Sequence, residues 1–388
     1  MRLRGRDVKP FFLLNDDNRY LPASHFYRLR QYEVRNQDLM ISVVGTLGNV
    51  AICTEEDVPA MFSCKSTLFR SNEADPYFLL AYLNSAPGQL CMLRRQRGAI
   101  QAGLNMEDLR TIPVPRFGKE TEEVIAATVR SAHRNLIVSR QKYEAAQQML
   151  ESELGLNKLT FLKPVGYIAN FSEALISRRI DADYFQTPFR LIDHHLDKYS
   201  TAQLHILVDI IKGIEVGSGA YQTEGHPFLR VSNVKQTGIE LGPSDKCISP
   251  TLYAALQSYR PQIGELLLTK DGSPGVAMAV DQVCNGIISG GVVRLTPKTD
   301  SIPAEYLALA INSRACRMQI ERECSGALIL HWKPALIRKL RIPVLPAPVM
   351  GKIAELVTEA KRARRKSDEL LKQAKARVEQ LIEAAVQP

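Results

Sequence analysis

The chain repeats itself, and a sequence that carries one pattern twice at a nearly constant displacement can fold only into two similar modules. From Lys119 to Leu154, apolar or small residues recur at alternating spacings of four and three: Ile125, Val129, Ala132, Leu136, Ser139, Tyr143, Ala146 and Leu150. That is the seam of a long heptad helix. From Val349 to Val386 the seam returns as Ile353, Val357, Ala360, Arg364, Ser367, Leu371, Ala374 and Val378, each 228 positions beyond its counterpart and five of the eight identical in type. The same displacement relates Asn84-Ser85 to Asn312-Ser313 and Gly98-Ala99 to Gly326-Ala327, while Ile112-Pro113-Val114 meets Ile342-Pro343-Val344 at 230. Upstream, the segment from Asp38 to Gly48 lies over Glu265 to Gly275 at 227, and Arg4, Val8 and Lys9 lie over Arg230, Val234 and Lys235 at 226.

Each half therefore reads as a mixed α/β globule, an exit strand and a helix of about 36 residues, about 54 Å long at 1.5 Å per residue. The expected fold class is α+β. Short apolar runs such as 265–269 and 291–295 are bounded by Gly and Pro, as strands are. Residues 75–84 and 304–312 read as helices. The expected boundaries are a first globule over 1–116, a long helix over 117–156, a connector over 157–178 containing Pro164 and Gly166, a second globule over 179–346 and a second long helix over 347–388. The repeat is incomplete at the front, because nothing in the first half matches 181–226. A start codon placed too late, a truncated or split gene, or a short variant completed by another chain each account for it. An incomplete reading frame is the expectation.

Composition narrows the partners. With 45% hydrophobic and 23% charged residues the chain is globular rather than disordered. Fifty Lys and Arg against 41 Asp and Glu leave a formal charge of +9, which suits a polyanion such as nucleic acid. The seven cysteines stand singly, with no Cys-x-x-Cys and no His at metal-ligand spacing, which speaks against a zinc site or a disulfide framework. No run approaches the roughly 18 apolar residues that a membrane span needs. A cytoplasmic protein without cofactor or membrane partner is expected.

Three clusters are candidates for contact with DNA. The first is the pair of glycine-rich turns, Gly45 to Gly48 and Gly272 to Gly275, each directly after an apolar strand. Gly permits positive φ, so either a tight turn or a close approach to phosphate is possible. Thr269, Lys270, Asp271 and Ser273 in the second half, with Ser42 and Thr46 in the first, are placed to hydrogen-bond base edges or phosphates. The second cluster is Arg94, Arg95 and Arg97, three guanidiniums just before Gly98; the plainer reading is a helix end whose arginines offset the C-terminal dipole. Its repeat partner from Arg322 to Gly326 has less charge but is followed by His331, Trp332 and Lys333, of which Lys333 is a candidate contact and Trp332 a core residue. The third is Lys361 to Lys366, five basic residues in six, read first as a solvated helix face and second as a phosphate-tracking or docking patch. Within it Arg364 occupies a seam position where the first helix has Leu136, and a charge there can fix helix register.

Catalytic motifs are missing. Asp75-Pro76-Tyr77-Phe78 is the nearest approach to a methyltransferase tetrapeptide, yet it lacks the second Pro and stands where a helix begins, with Asp as cap and Pro in the first turn. There is no nucleotide-cradling loop, no nuclease-type carboxylate cluster and no nucleophile elbow. A non-catalytic chain is expected.

Taken together, the phrase 38–52, its twin 264–277, the phrase 98–115, Arg179 to Phe185, Pro227 to Val234 and both long helices resemble the specificity subunits of type I restriction-modification systems. The resemblance runs over nearly the whole chain. It implies two target-recognition domains separated by two long antiparallel coiled-coil helices, each domain reading half of a bipartite site on double-stranded DNA. A spacer of about 54 Å corresponds to about 16 base pairs at roughly 3.4 Å per pair. It also implies assembly with two methyltransferase subunits and with restriction subunits, to which adenine methylation and ATP-dependent cleavage belong. Two alternatives stand beside it: a truncated specificity chain that needs a second copy to rebuild the reader, and a coiled-coil scaffold without sequence-specific DNA binding.

Overall fold

The computed structural model describes residues 1–14, 19–98, 102–162, 166–242, 245–326 and 329–386. Ala99, Ile100, Gln101, Pro164 and Ala327, on which parts of the repeat, the arginine cluster and the connector were read, lie outside the described residues. Two compact units result: Met1–Ile137 with Arg364–Pro388, and Val138–Ala363. Each unit thus holds one globule and half of each long helix.

The first unit is built on an antiparallel sheet of three strands in the order Val50–Ile52, Leu39–Ser42, Ser66–Phe69. Side chains alternate across the central strand. Leu39 and Ile41 face the larger core with Phe78, Leu79 and Leu83 from the helix Pro76–Asn84, while Met40 faces a smaller core with Leu3, Val34 and Ala60. Coverage on both faces explains why all four residues of that strand are buried. The helix starts as the sequence dictates: the Asp75 carboxylate accepts from the Tyr77 amide at 2.8 Å and Pro76 occupies the first turn.

The second unit repeats this arrangement and extends it. Its sheet runs Ala277–Ala279, Leu266–Thr269, Val292–Pro297, Val208–Lys212, and a separate pair joins Arg341–Pro343 to Thr201–Gln203. Leu266 and Leu268 point to one core and Leu267 to another, matching Leu39, Ile41 and Met40 at a displacement of 227. Polar fastenings are repeated too. The Arg35 amide donates to Asp38 and the Gln262 amide to Glu265, each at 2.7 Å. Ser85 and Ser313 each donate a hydroxyl to a carbonyl three residues back, at 2.6 Å. Tyr82 and Tyr306 stand one helical turn apart in the repeat, yet both reach the carbonyl of the exit-segment proline, Pro113 and Pro343.

The long helices are Lys119–Glu153 and Ala347–Val386. Ile125, Val129 and Ala132 share a core with Leu371, Ala374 and Val378 in the first unit; Ala146, Leu150 and Leu154 share one with Met350, Ile353 and Val357 in the second. The start of one helix is thus matched with the end of the other in both units, and helices paired crosswise run antiparallel. Each fully buried Leu or Ile in such a seam contributes about 1.5–3 kcal/mol.

The basic run departs from a uniformly solvated face. Lys361 is only 3% exposed, and its Nζ donates to the Ala279 carbonyl at 2.8 Å beside Asp281 at 3.2 Å and Glu305 at 3.9 Å. Arg364 lies half-buried 3.2 Å from Asp368, one turn on, with its guanidinium over the Phe12 ring. Its aliphatic stem covers apolar surface while its head finds charge, which is how a seam tolerates arginine.

Candidate nucleic-acid interface

In each unit the central strand runs out into a turn whose geometry is locked by its last side chain. Ser42 donates its hydroxyl to the Thr46 carbonyl at 2.5 Å and accepts from the Asn49 amide at 3.1 Å. Thr269 donates to the Ser273 carbonyl at 2.6 Å and accepts from the Val276 amide at 2.9 Å. Gly45, Gly48, Gly272 and Gly275 all have φ between +67° and +89°, a region that side chains with a Cβ disfavour, so the chain can reverse here only on glycine. A residue of the following helix holds each turn from behind. Gln89 Nε2 donates to the Gly48 carbonyl at 2.8 Å, and its repeat partner Arg317 donates to the Pro274 carbonyl at 3.2 Å.

A hairpin completes each tip. The backbones of Arg97 and Gly103 exchange bonds at 2.9 and 3.0 Å, those of Ser325 and His331 at 2.7 and 3.1 Å. The next amide then returns to the turn: Leu104 donates to the Val43 carbonyl at 3.1 Å, Trp332 to the Lys270 carbonyl at 2.8 Å. Trp332 is 2% exposed and belongs to the core.

On this shared frame the candidate residues divide by what their side chains already do. Ser42 and Thr269 are fully buried and their hydroxyls close the turns, so in this conformation they shape the tip rather than face solvent. Thr46 and Ser273 are exposed at the crest. Lys270 lies mostly buried against Asp271, which also accepts from His331 Nδ1 at 2.8 Å. Burial acts to raise the Asp271 carboxyl, but the Lys270 ammonium and the His331 ring hold it below the usual carboxylate range. Lys333 is exposed at the start of the short helix Pro334–Ile337. Arg94 is exposed at the end of the helix Ala86–Leu93. Arg95 spends its guanidinium on the fold, donating to the Cys91 carbonyl at 2.7 Å and to the carbonyl and hydroxyl of Thr111 at 2.9 and 3.0 Å. Arg97 is exposed and paired with Asp108 at 2.6 Å, which raises its already high affinity for the proton. The arginine cluster therefore splits into one structural guanidinium and two that water, or a polyanion, can reach.

Sequence reasoning did not single out Gln89, Arg317 or Asp108. The repeat spacing of 228 between Gln89 and Arg317 was the available signal, hidden by their difference in residue type. Among the described residues no group of three His, Cys, Asp or Glu is placed to hold a metal ion, and no helix is long and apolar enough to cross a membrane.

No family model matches the sequence, and no curated protein does. Solved structures do. Over 89% of this chain and 81% of its own, the type I restriction-modification S subunit from M. genitalium is similar at 15% identity and a TM-score of 0.38. The HsdS subunit from Thermoanaerobacter tengcongensis is similar over 97% of this chain and 88% of its own, at 16% identity and a TM-score of 0.31. A structure of the type I restriction-modification system, described for its complex assembly and conformational transition, gives 16% identity and 0.31 over 97% and 90%.

The structural neighbours over about nine-tenths of the chain are type I specificity subunits.

Proposed function

We propose that the chain is the non-catalytic DNA-reading subunit of a type I restriction-modification complex, the two target-recognition domains being 1–116 and 179–346, with 117–156 and 347–388 as spacer helices and 157–178 as connector. Each domain offers its turn and hairpin to one half of a bipartite double-stranded site, and the paired helices set the interval left unread. In the cytoplasm it directs two methyltransferase subunits and the restriction subunits to that site. Thr46, Ser273, Arg94, Arg97, Lys333 and the Lys270 and Asp271 pair make the contacts; Ser42, Thr269 and Arg95 hold the backbone that presents them.

One observation carries this reading: the same tip is built twice from different displayed side chains. The locks at Ser42 and Thr269 and the returns at Leu104 and Trp332 are alike, whereas Val44 faces Asp271 across the repeat and Gly103 faces His331. A common frame with changed donors and acceptors is what reading two unlike base sequences requires, because base identity is told by the pattern of groups presented to the groove. The net charge of +9 supplies the attraction to phosphate that precedes readout.

The test is the methylome of a host with and without this gene. Loss of one bipartite methylated motif is expected on deletion. An unchanged methylome with active methyltransferase subunits, or DNA binding by the assembled complex that ignores both sequence and salt, overturns the reading in favour of a scaffold.

A further inference from the structure

The second tip carries an apolar crest. Its outer strand, Leu330–His331, pairs antiparallel with the turn, Leu330 opposite Gly272 and His331 opposite Asp271. Facing a glycine, Leu330 meets no side chain across the pair, and it stands 43% exposed next to Ile329 at 55%. The bend that brings the chain into this strand is made on Gly326, at a φ of +124°, where a Cβ would collide with the Ile329 carbonyl oxygen. At the matching positions of the first tip, 228 earlier, the sequence has Gln101 and Ala102. The hairpin bonds between Arg97 and Gly103 form there without an aliphatic pair, so the shared frame does not need Ile329 and Leu330.

A single exposed apolar side chain is ordinary on a protein surface. Two adjacent ones at the end of a hairpin, rimmed by hydrogen-bonding groups, are a surface of defined chemistry. The rim is the exposed His331 ring, 2.8 Å from Asp271 through its Nδ1, with Ser273 exposed at the crest of the turn next to Gly272. In the major groove an A·T pair presents that combination: hydrogen-bonding groups of both bases beside the C5-methyl of thymine. A protein partner is the poorer match, because two side chains at a hairpin end offer far less than the roughly 800 Å² per partner that a stable protein interface buries.

We propose that Ile329 and Leu330 are specificity-determining residues that select thymine in one half-site by packing on its C5-methyl in the major groove. The proposal rests on the DNA-reading function given above and adds to it the base group that the second domain recognises. Taking one methyl-sized group out of water is worth about three- to fivefold in affinity. The first tip, with Gln101 and Ala102 at these positions, has no such aliphatic pair.

The full chain, assembled with its methyltransferase subunits, is titrated with duplexes carrying the motif that the methylome assigns. In each duplex the thymines of one half-site are replaced by deoxyuridine, which removes the methyl and keeps every hydrogen-bonding group. In one half-site the replacement is expected to weaken binding by the natural chain about three- to fivefold and to leave the Ile329→Ala, Leu330→Ala double variant unaffected. In the other half-site it changes both chains equally. Specific binding by the natural chain that ignores deoxyuridine in both half-sites overturns the proposal and leaves the DNA-reading function standing, and this arm decides even if the variant fails to fold. A variant that keeps the full sensitivity overturns it as well. So does a rise in 2-aminopurine fluorescence without a deoxyuridine effect, which would mean insertion between base steps instead. Absence of sequence-specific binding to any duplex would refute the DNA-reading function itself, and the proposal with it.

Discussion

Asn312 holds both backbone groups of Ala277: its Nδ2 donates to the carbonyl at 2.7 Å and its Oδ1 accepts from the amide at 3.0 Å. The side chain is 7% exposed and ties a helix end to the edge strand Ala277–Ala279. Its repeat partner Asn84 makes one equivalent bond, to the Val50 carbonyl at 3.0 Å, and turns its second hydrogen to Leu80 within its own helix. Asn312→Leu strands two buried backbone groups and is expected to cost about 2–4 kcal/mol; Asn84→Leu strands none, because the Val50 carbonyl also accepts from the Phe11 amide at 2.8 Å, and costs about 1 kcal/mol. Hydrogen exchange at Ala277–Ala279 and Val50–Ile52 checks the order, and equal losses would refute the account.

Lys361 is buried beside two carboxylates, so its neighbours matter more than its own charge. Removing both with Asp281→Ala and Glu305→Ala leaves an ammonium with little more than the Ala279 carbonyl to meet it, at a cost of about 3 kcal/mol. Adding Lys361→Met to that double variant is expected to restore most of the loss. Denaturant midpoints of the two variants measure this, and a triple variant less stable than the double would contradict it.

The basic residues of the two tips separate by experiment. Arg94→Ala and Lys333→Ala are each expected to weaken DNA binding by the partner complex and to lower the slope of log affinity against log salt by about 0.9, one phosphate contact apiece. Arg95→Ala, which breaks three bonds to Cys91 and Thr111, is expected to lower stability and leave that slope unchanged. A slope altered by Arg95→Ala alone would reverse the assignment.

The join between the first exit segment and its long helix depends on pH. Hydrogen bonds from the Arg116 guanidinium and the Phe117 amide, each at 3.0 Å, hold the Glu122 carboxyl below the usual range against the opposing effect of burial. A lowered folded value means the contribution is present in full above the ordinary glutamate value of about 4.3 and is lost as pH falls through the folded value. The stability gap between the natural chain and Glu122→Gln should therefore be constant near neutrality and close in acid. A gap that widens in acid would refute it.

Much of the architecture could be read from residue order. The heptad seams, both turns and the helix beginning at Asp75 come from spacing and residue type within a few positions, and periodicity survives folding because every turn of helix presents the same face. The doubling of the module was legible for the same reason. Hydrogen-bond commitments were not. Ser42 and Thr269 are polar residues at a turn, and only the closure of each turn on its own carbonyls four positions ahead turns those hydroxyls inward. Arg95 and Arg97 stand two positions apart, yet one is consumed by Thr111 and the other pairs with Asp108 in the open.

By itself the order of amino acids determined that there are two modules of one kind, each followed by a long heptad helix. Tertiary structure decided which groups of those modules remain available: Lys361 is spent on Ala279, Asp281 and Glu305, Leu295 is covered, and Phe69 is open to solvent. The physical reason is range. Helical and strand periods are set by neighbours along the chain, whereas burial and the satisfaction of charge are set by whatever distant segment packs against a surface, and residues 187–212 pack against only one of the two repeated faces.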